Sequence, residues 1–329
     1  MSTKIEKGLR KIPIVNMIVD FLKKIKLPGF EGLSLYGLLE MYVAGIIEGA
    51  LSTRASAIAF SLFLALFPLL IFLLTLIPFI IPYVTVDNSN FDAEFLDFLE
   101  SFLPRATGEY FSEIYLQIKQ QERGDVLSSA IAFITSIFLM ANGVNAIFTA
   151  FENSYHINFK SGFVKQYLSA LGVGLLLSIV LLIGAVVFIY FEAYILGGLH
   201  DIVHDTNELH VDDSDFKVLQ WGKFLFLALL SYFITAILYY YGTREGKQAK
   251  FFSAGALMTT LLFTLTSYLF GVYVDKFANY NELYGALGGL LILLVFIWLN
   301  SNILLLGFEL NALLNSLRKN YRRENRIEA

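Results

Sequence analysis

Six apolar stretches follow residue 55, at roughly 57–81, 127–150, 167–190, 224–240, 252–274 and 285–307, and together they leave few folds open to the chain. A helix rising about 1.5 Å per residue needs about 20 apolar residues to cross a hydrocarbon core of roughly 30 Å, and each stretch is close to that length. The chain has 329 residues, 57% apolar and 16% charged, with a mean hydropathy of +0.64. That composition excludes disorder, collagen and disulfide scaffolds. The expected fold class is all-α: a polytopic membrane protein of six transmembrane helices, with amphipathic helices before the first span and an exported helical hairpin. Cysteine is absent, so disulfides, thiolate nucleophiles and Cys-ligated metals are excluded.

The net charge of −4 says little, but its distribution along the chain says more. Eight Lys and Arg precede the first span, the five loops carry 3, 2, 2, 3 and 1, and the tail carries 5. Alternate sides therefore hold 18 and 6. The positive-inside rule predicts that both termini are cytoplasmic. Eighteen of the 28 carboxylates then fall on the exported side, mostly within 87–125 and 192–215. The basic start of the chain lacks the short apolar core and small-residue cleavage site of a secretory signal, so no cleavage is expected.

Residues 14–26 place Ile14, Val15, Ile18, Phe21, Leu22 and Ile25 on one helical stripe beside Lys23, Lys24 and Lys26. Such a helix is expected to lie on a bilayer containing anionic lipids. Pro28-Gly29 ends it, and a second stripe from Leu35 to Ala50 leads toward the membrane, where it reads equally as an ordinary docking helix. Between the first two spans, Phe91, Phe95, Phe98, Leu99 and Phe102 repeat at helical spacing up to Pro104. A second helix through Phe111, Ile114, Tyr115 and Ile118 completes the expected hairpin over 87–125. The chain thus divides into interfacial helices (1–54), a membrane domain (55–310) and a basic tail (311–329).

All six prolines lie at or before residue 104, and Pro68, Pro78 and Pro82 fall in or beside the first span. Proline removes an intrahelical donor, so Pro68 and Pro78 predict a kink, either a packing feature or a broken helix beside a path. Spans two and six run in the same direction, and at about 1.5 Å per residue Asn142, Asn145, Asn300 and Asn302 lie roughly 22 to 27 Å from the outer edge. Amides facing lipid are costly, so all four are expected to point inward, as inter-helix glue or as a polar half-channel. Just below that layer, Arg54 and Glu309 are expected to pair near the cytoplasmic boundary as anchors, a gate or a head-group contact, with Glu48 a second possible partner. Thr260, Thr264 and Ser267 form a hydroxyl stripe that lines a path or bonds its own backbone. Gly285 and Gly289 make a Gly-x-x-x-Gly pair suited to close helix packing.

Signals for enzymes are poor. His200 and His204, at i and i+4 in an acidic exported loop, are candidate metal ligands only if that loop is helical, and no third ligand has motif-like spacing. P-loop, Gly-x-Ser-x-Gly and His-Glu-x-x-His motifs are absent. So is any basic stripe interleaved with aromatics, which leaves no case for nucleic acid as a partner. No cofactor and no catalytic residue are expected.

Tyr284-Gly285-Ala286-Leu287-Gly288-Gly289, followed by Trp298 and by Leu305-Leu306-Gly307-Phe308-Glu309-Leu310-Asn311-Ala312, resembles the signature of the YihY/BrkB family of bacterial inner-membrane proteins. Ala57-Ile58-Ala59-Phe60 with Leu66-Phe67-Pro68 is similar to that family's first span, and Ala146 to Tyr155 to the exit of its second. The resemblance covers about residues 40–315. Where relatives tend to have proline after span four, this chain has Tyr240-Tyr241-Gly242. The resemblance implies a six-span inner-membrane protein with cytoplasmic termini, linked to envelope lipid or lipopolysaccharide-precursor transport, to serum resistance or to solute export. A ribonuclease activity has also been attached to the family. It finds no support in these residues, since nuclease chemistry needs metal-holding clusters or an acid–base pair beside a phosphate groove. The leading expectation is a transporter or flippase-like protein whose substrate is a lipid or small solute. The rival is a non-transporting scaffold whose exported hairpin binds a partner.

Overall fold

The computed structural model describes residues 20–25, 34–80, 91–101, 126–157, 161–191, 213–244, 246–248, 250–277 and 287–327. They form helices α1 (Leu35–Glu48), α2 (Leu51–Ile80), α3 (Phe91–Glu100), α4 (Val126–Glu152), α5 (Phe163–Tyr190), α6 (Asp213–Tyr241), α7 (Ala254–Phe277) and α8 (Leu287–Ile327), with one 3-10 turn at Gly246–Gln248. Six of these helices are long and apolar enough to cross a membrane: α2, α4, α5, α6, α7 and α8.

Local chemistry sets several of the helix ends. Ser34 caps α1 by accepting a hydrogen bond from the Gly37 amide (3.1 Å). A tight turn through Gly49 and Ala50, the latter at φ 47°, leads directly into α2. The first span thus begins at Leu51, earlier than the sequence reading, and Arg54 lies inside its first turn rather than ahead of it. α7 starts where Ser253 Oγ accepts from the Ala256 amide, with Asn311 Oδ1 of α8 accepting from the Gly255 amide (2.8 Å). α8 is the longest element, 41 residues or about 60 Å, so it runs well beyond any bilayer core. The expected segment boundaries at 54/55 and 310/311 both fall inside helices, α2 and α8.

The six long helices pack in chain order as a closed ring: α2 on α4, α4 on α5, α5 on α6, α6 on α7, α7 on α8, and α8 back on α2. The largest buried cluster joins all six at one end, through residues such as Ile58, Phe151, Val173, Tyr239, Ala256 and Phe308. A second gathers Phe72, Phe95, Phe98, Leu182 and Phe188. Outward faces are apolar as well, including Leu64, Ile134, Ile183, Leu229, Leu261 and Val295. A water-soluble protein rarely exposes so much contiguous apolar surface; a bilayer is the solvent that suits it.

α3 is the part of the expected hairpin that falls among the described residues. Phe95 and Phe98 are fully buried, and Phe98 packs against Phe188 of α5 with ring centroids 5.5 Å apart. The second helix of that hairpin lies outside the described residues. Of the N-terminal amphipathic stripe, residues 20–25 are described, with Phe21 exposed and Lys23 Nζ 4.9 Å from the Tyr36 ring centroid. α2 is a single helix from Leu51 to Ile80, with Pro68 and Pro78 inside it.

Candidate functional site

Arg54 opens the first long helix and Glu309 lies just past the middle of the last, and the α2–α8 contact brings them together. Arg54 Nη2 donates to Glu309 Oε1 at 2.5 Å, with Arg54 9% exposed and Glu309 0%. Arg54 Nη1 donates to the Ala150 carbonyl of α4 (2.9 Å), and Ser154 Oγ donates to Glu309 Oε2 (2.7 Å). Two charges out of water cost several kcal/mol each unless pairing and hydrogen bonds offset it, and here both carboxylate oxygens are engaged. Tyr42 of α1 closes one side, its hydroxyl donating to the Leu306 carbonyl (2.7 Å). Burial, and after it the Glu309 charge, hold that phenol well above the usual tyrosine range. His156 is also close enough to feel the Glu309 charge, with Nε2 buried and no hydrogen-bond partner among the described residues. Burial lowers its pKa, and the Glu309 carboxylate partly opposes that. The imidazole fits because Gly45 faces it; a Cβ there would stand 2.6 Å from Nε2.

Next to this pair lies an aromatic layer. Phe151 and Phe308 stack at 4.0 Å with planes 3° apart, and Tyr239 sets its ring against both at 5.6 and 5.8 Å. The Tyr239 hydroxyl lies 2.6 Å from Thr259 Oγ1 and donates to the Leu304 carbonyl at 2.6 Å. Gly307 makes this approach possible, since any Cβ there would overlap the Thr259 hydroxyl and the Gly255 carbonyl.

Inside the ring is a cavity of about 330 Å³, lined by all six long helices through residues such as Leu66, Val144, Ser178, Thr235, Thr259 and Asn300. Its size falls at the lower end of small-molecule sites, which run roughly 300 to 1,000 Å³. The lining is mainly aliphatic. Asn300 Nδ2 donates to the Phe296 carbonyl (2.9 Å), while its Oδ1 is buried with no partner among the described residues.

The four amides do not converge. Asn300 alone of the four lines the cavity; Asn142 is exposed on the outer face of α4 and Asn145 is half-buried. Asn302 turns Nδ2 back to the Trp298 carbonyl (2.8 Å). On α4 it is Met140, Val144 and Ile147 that face the cavity instead. Pro68 is buried, and the side chain of Pro78 lies outside the described residues. Gly289 is buried near the start of α8, while Gly285, His200 and His204 lie outside the described residues. Among those that are described, no three His, Asp or Glu gather as a metal site would require. Thr260 bonds its own helix through the Ala256 carbonyl (3.0 Å), and it is Thr259, one residue earlier, that reaches the cavity. Glu48 is exposed, and the carboxylate paired with Arg54 is Glu309.

Sequence reasoning missed Ser154, Tyr42, Tyr239 and Thr259. Ser154 and Tyr42 lie in a turn and an interfacial helix, where hydroxyls carry no periodic signal. Tyr239 begins a run of three tyrosines, and nothing in the run says which one turns inward. The close pair Gly255 and Gly307 spans two helices and has no single-helix motif.

The virulence factor BrkB family model matches residues 43–329. A putative ribonuclease-like protein, YfkH, of Bacillus subtilis (strain 168) is 26% identical over 224 residues, covering 68% of this chain and 78% of that protein. A UPF0761 membrane protein of Aggregatibacter aphrophilus (strain NJ8700) is 33% identical over 102 residues, 31% of this chain and 35% of its own length. Another, of Coxiella burnetii (strain Dugway 5J108-111), is 26% identical over 210 residues, 63% and 69% of the two chains. No solved structure matches. The two UPF0761 relatives are described as membrane proteins. With six membrane-length helices in a closed ring and a family match running from α1 to its last residue, the chain belongs to the virulence factor BrkB (YihY, UPF0761) family.

Proposed function

We propose that the protein moves an amphipathic molecule, a lipid or a lipid-linked solute, through the ring of six helices, with the Arg54–Glu309 end facing the cytoplasm. One observation carries the reading: a largely apolar cavity to which every long helix contributes, bearing at Asn300 an amide oxygen with no partner among the described residues. A fully hydrated solute would lose several kcal/mol of hydration in such a lining, whereas an acyl chain loses none. A buried acceptor without a donor costs about 1 to 3 kcal/mol, which a substrate hydroxyl or amide would recover. The stacked Phe151 and Phe308 and the buried ion pair close the adjoining end. They act as the inner gate, and the charge bias of the loops assigns that end to the cytoplasm.

Purified protein in proteoliposomes, carrying a fluorescent phospholipid, tests the reading by the rate at which label becomes accessible on the opposite leaflet. Asn300→Leu is expected to lower the rate several-fold, and Glu309→Ala to alter it. Equal, background-level rates for the wild type and both variants would remove the transport reading and favour a scaffold.

A further inference from the structure

Apart from the central cavity, the ring carries a second pocket of about 330 Å³ where α4 and α6 end and α5 begins, lined by Glu152, Lys165, Ser169, Arg244 and Lys247. We propose that this pocket binds a phosphate group, as a phosphate ester, at the membrane boundary.

The charge count favours an anion. Three cations line the pocket against one carboxylate, a formal balance of +2. The carboxylate is already committed: Glu152 is buried and its Oε1 accepts the Ser161 amide (3.0 Å), and with the Gln166 amide turned to its better-satisfied orientation its nitrogen donates to Oε2 (3.1 Å). Lys165 and Arg244 form no ion pair with a described residue, and Lys247 rests over the Tyr241 ring, 5.6 Å from its centroid. Arg offers a planar fork of donors that matches phosphate oxygens, and lysines supply point charges beside it. Gly162 precedes α5 and provides no side-chain cap, so the helix's N-terminal dipole adds to the same field.

Position suggests the usual source of the ester. The spans of α4, α5 and α6 end or begin here, at Glu152, Phe163 and Tyr241. Phe163, Val164 and Leu168 are exposed on α5 next to the pocket, a surface suited to acyl chains. A glycerophospholipid would then place its phosphate among the cations and its tails along α5. The inference is independent of transport, because its readout is binding.

The test uses the full chain in a neutral detergent, titrated with phosphatidylglycerol, phosphatidylcholine or inorganic phosphate, with melting temperature and lipid adducts in native mass spectrometry as readouts. Wild type is compared with Lys165→Gln/Arg244→Gln/Lys247→Gln, and with Lys223→Gln as a charge control on α6. Lys165, Arg244 and Lys247 are exposed, so the ligand-free triple variant should melt as the wild type does, which confirms its fold. Each cation beside an anionic lipid contributes about fivefold in affinity, so the triple variant is expected to lose roughly 100-fold and the control to lose little. Response to phosphatidylglycerol supports the lipid source, and response to inorganic phosphate alone supports a soluble ester. Equal affinity in wild type and triple variant, or no response to either phosphate, overturns the proposal.

Discussion

Removing one member of the Arg54–Glu309 pair should damage the protein far more than removing both. Glu309→Ala deletes the acceptor of two hydrogen bonds and leaves a guanidinium in a closed environment with, among the described residues, only the Ala150 carbonyl, its Nε already without a partner there. Arg54→Met leaves a fully buried carboxylate with Ser154 alone. Breaking a buried pair from one side costs about 3 to 5 kcal/mol, whereas replacing both partners with apolar side chains is close to neutral. The double variant Arg54→Met/Glu309→Leu should therefore be more stable than either single. It should fall at least about 2 kcal/mol short of the summed losses, well outside the additivity expected of independent sites. Unfolding in mixed detergent micelles, followed by circular dichroism across the four-member cycle, measures this directly. If the two losses add to within about 0.5 kcal/mol, the residues do not share an interaction and the gate assignment fails with them. The double variant also separates structure from transport: restored stability without restored lipid movement means that the charges themselves act in the gate.

Three further outcomes are expected. Gly307→Ala should destabilise by about 1 to 3 kcal/mol through overpacking against Thr259 and the Gly255 carbonyl, seen as a lower melting temperature. Tyr239→Phe should cost about 1 to 3 kcal/mol in the same assay, because the buried Thr259 hydroxyl and Leu304 carbonyl lose a shared partner. His156 binds its proton less readily folded than unfolded, so stability from its neutral form is present above the unfolded value near 6.5 and is lost as pH falls below it. Melting temperatures between pH 7.5 and 5.5 should thus fall more for wild type than for His156→Gln, and parallel curves would exclude the imidazole as the cause.

The six spans were legible because length and hydropathy are properties of a single segment. Arg54 and Glu309 could be matched because few charges lie near the boundary, and depth alone made them neighbours. The amide layer failed for a different reason. Equal depth does not fix direction around a helix axis, and at about 100° per residue Asn300 and Asn302 are roughly 200° apart, so they could not both face the cavity. The same arithmetic turns Asn142 away from Met140, which lines the cavity, and out of the ring. Thr260 was mistaken for its neighbour Thr259 by one such step. The aromatic layer and the Gly255–Gly307 approach depend on which helices meet, and one sequence read alone does not contain that pairing.

Five of the six junctions in the ring join helices that follow one another along the chain, each tied by a connecting segment. The junction of α8 with α2 has no such tether. It is fastened by side chains: Arg54 to Glu309, and Trp298 Nε1 to Ser56 Oγ at 3.1 Å, both stitched across that seam. Parting α2 from α8 is thus the one sideways opening of the ring that stretches no connection; on the proposed transport reading it is the lateral door through which a lipid would slip from the bilayer into the interior without passing an end.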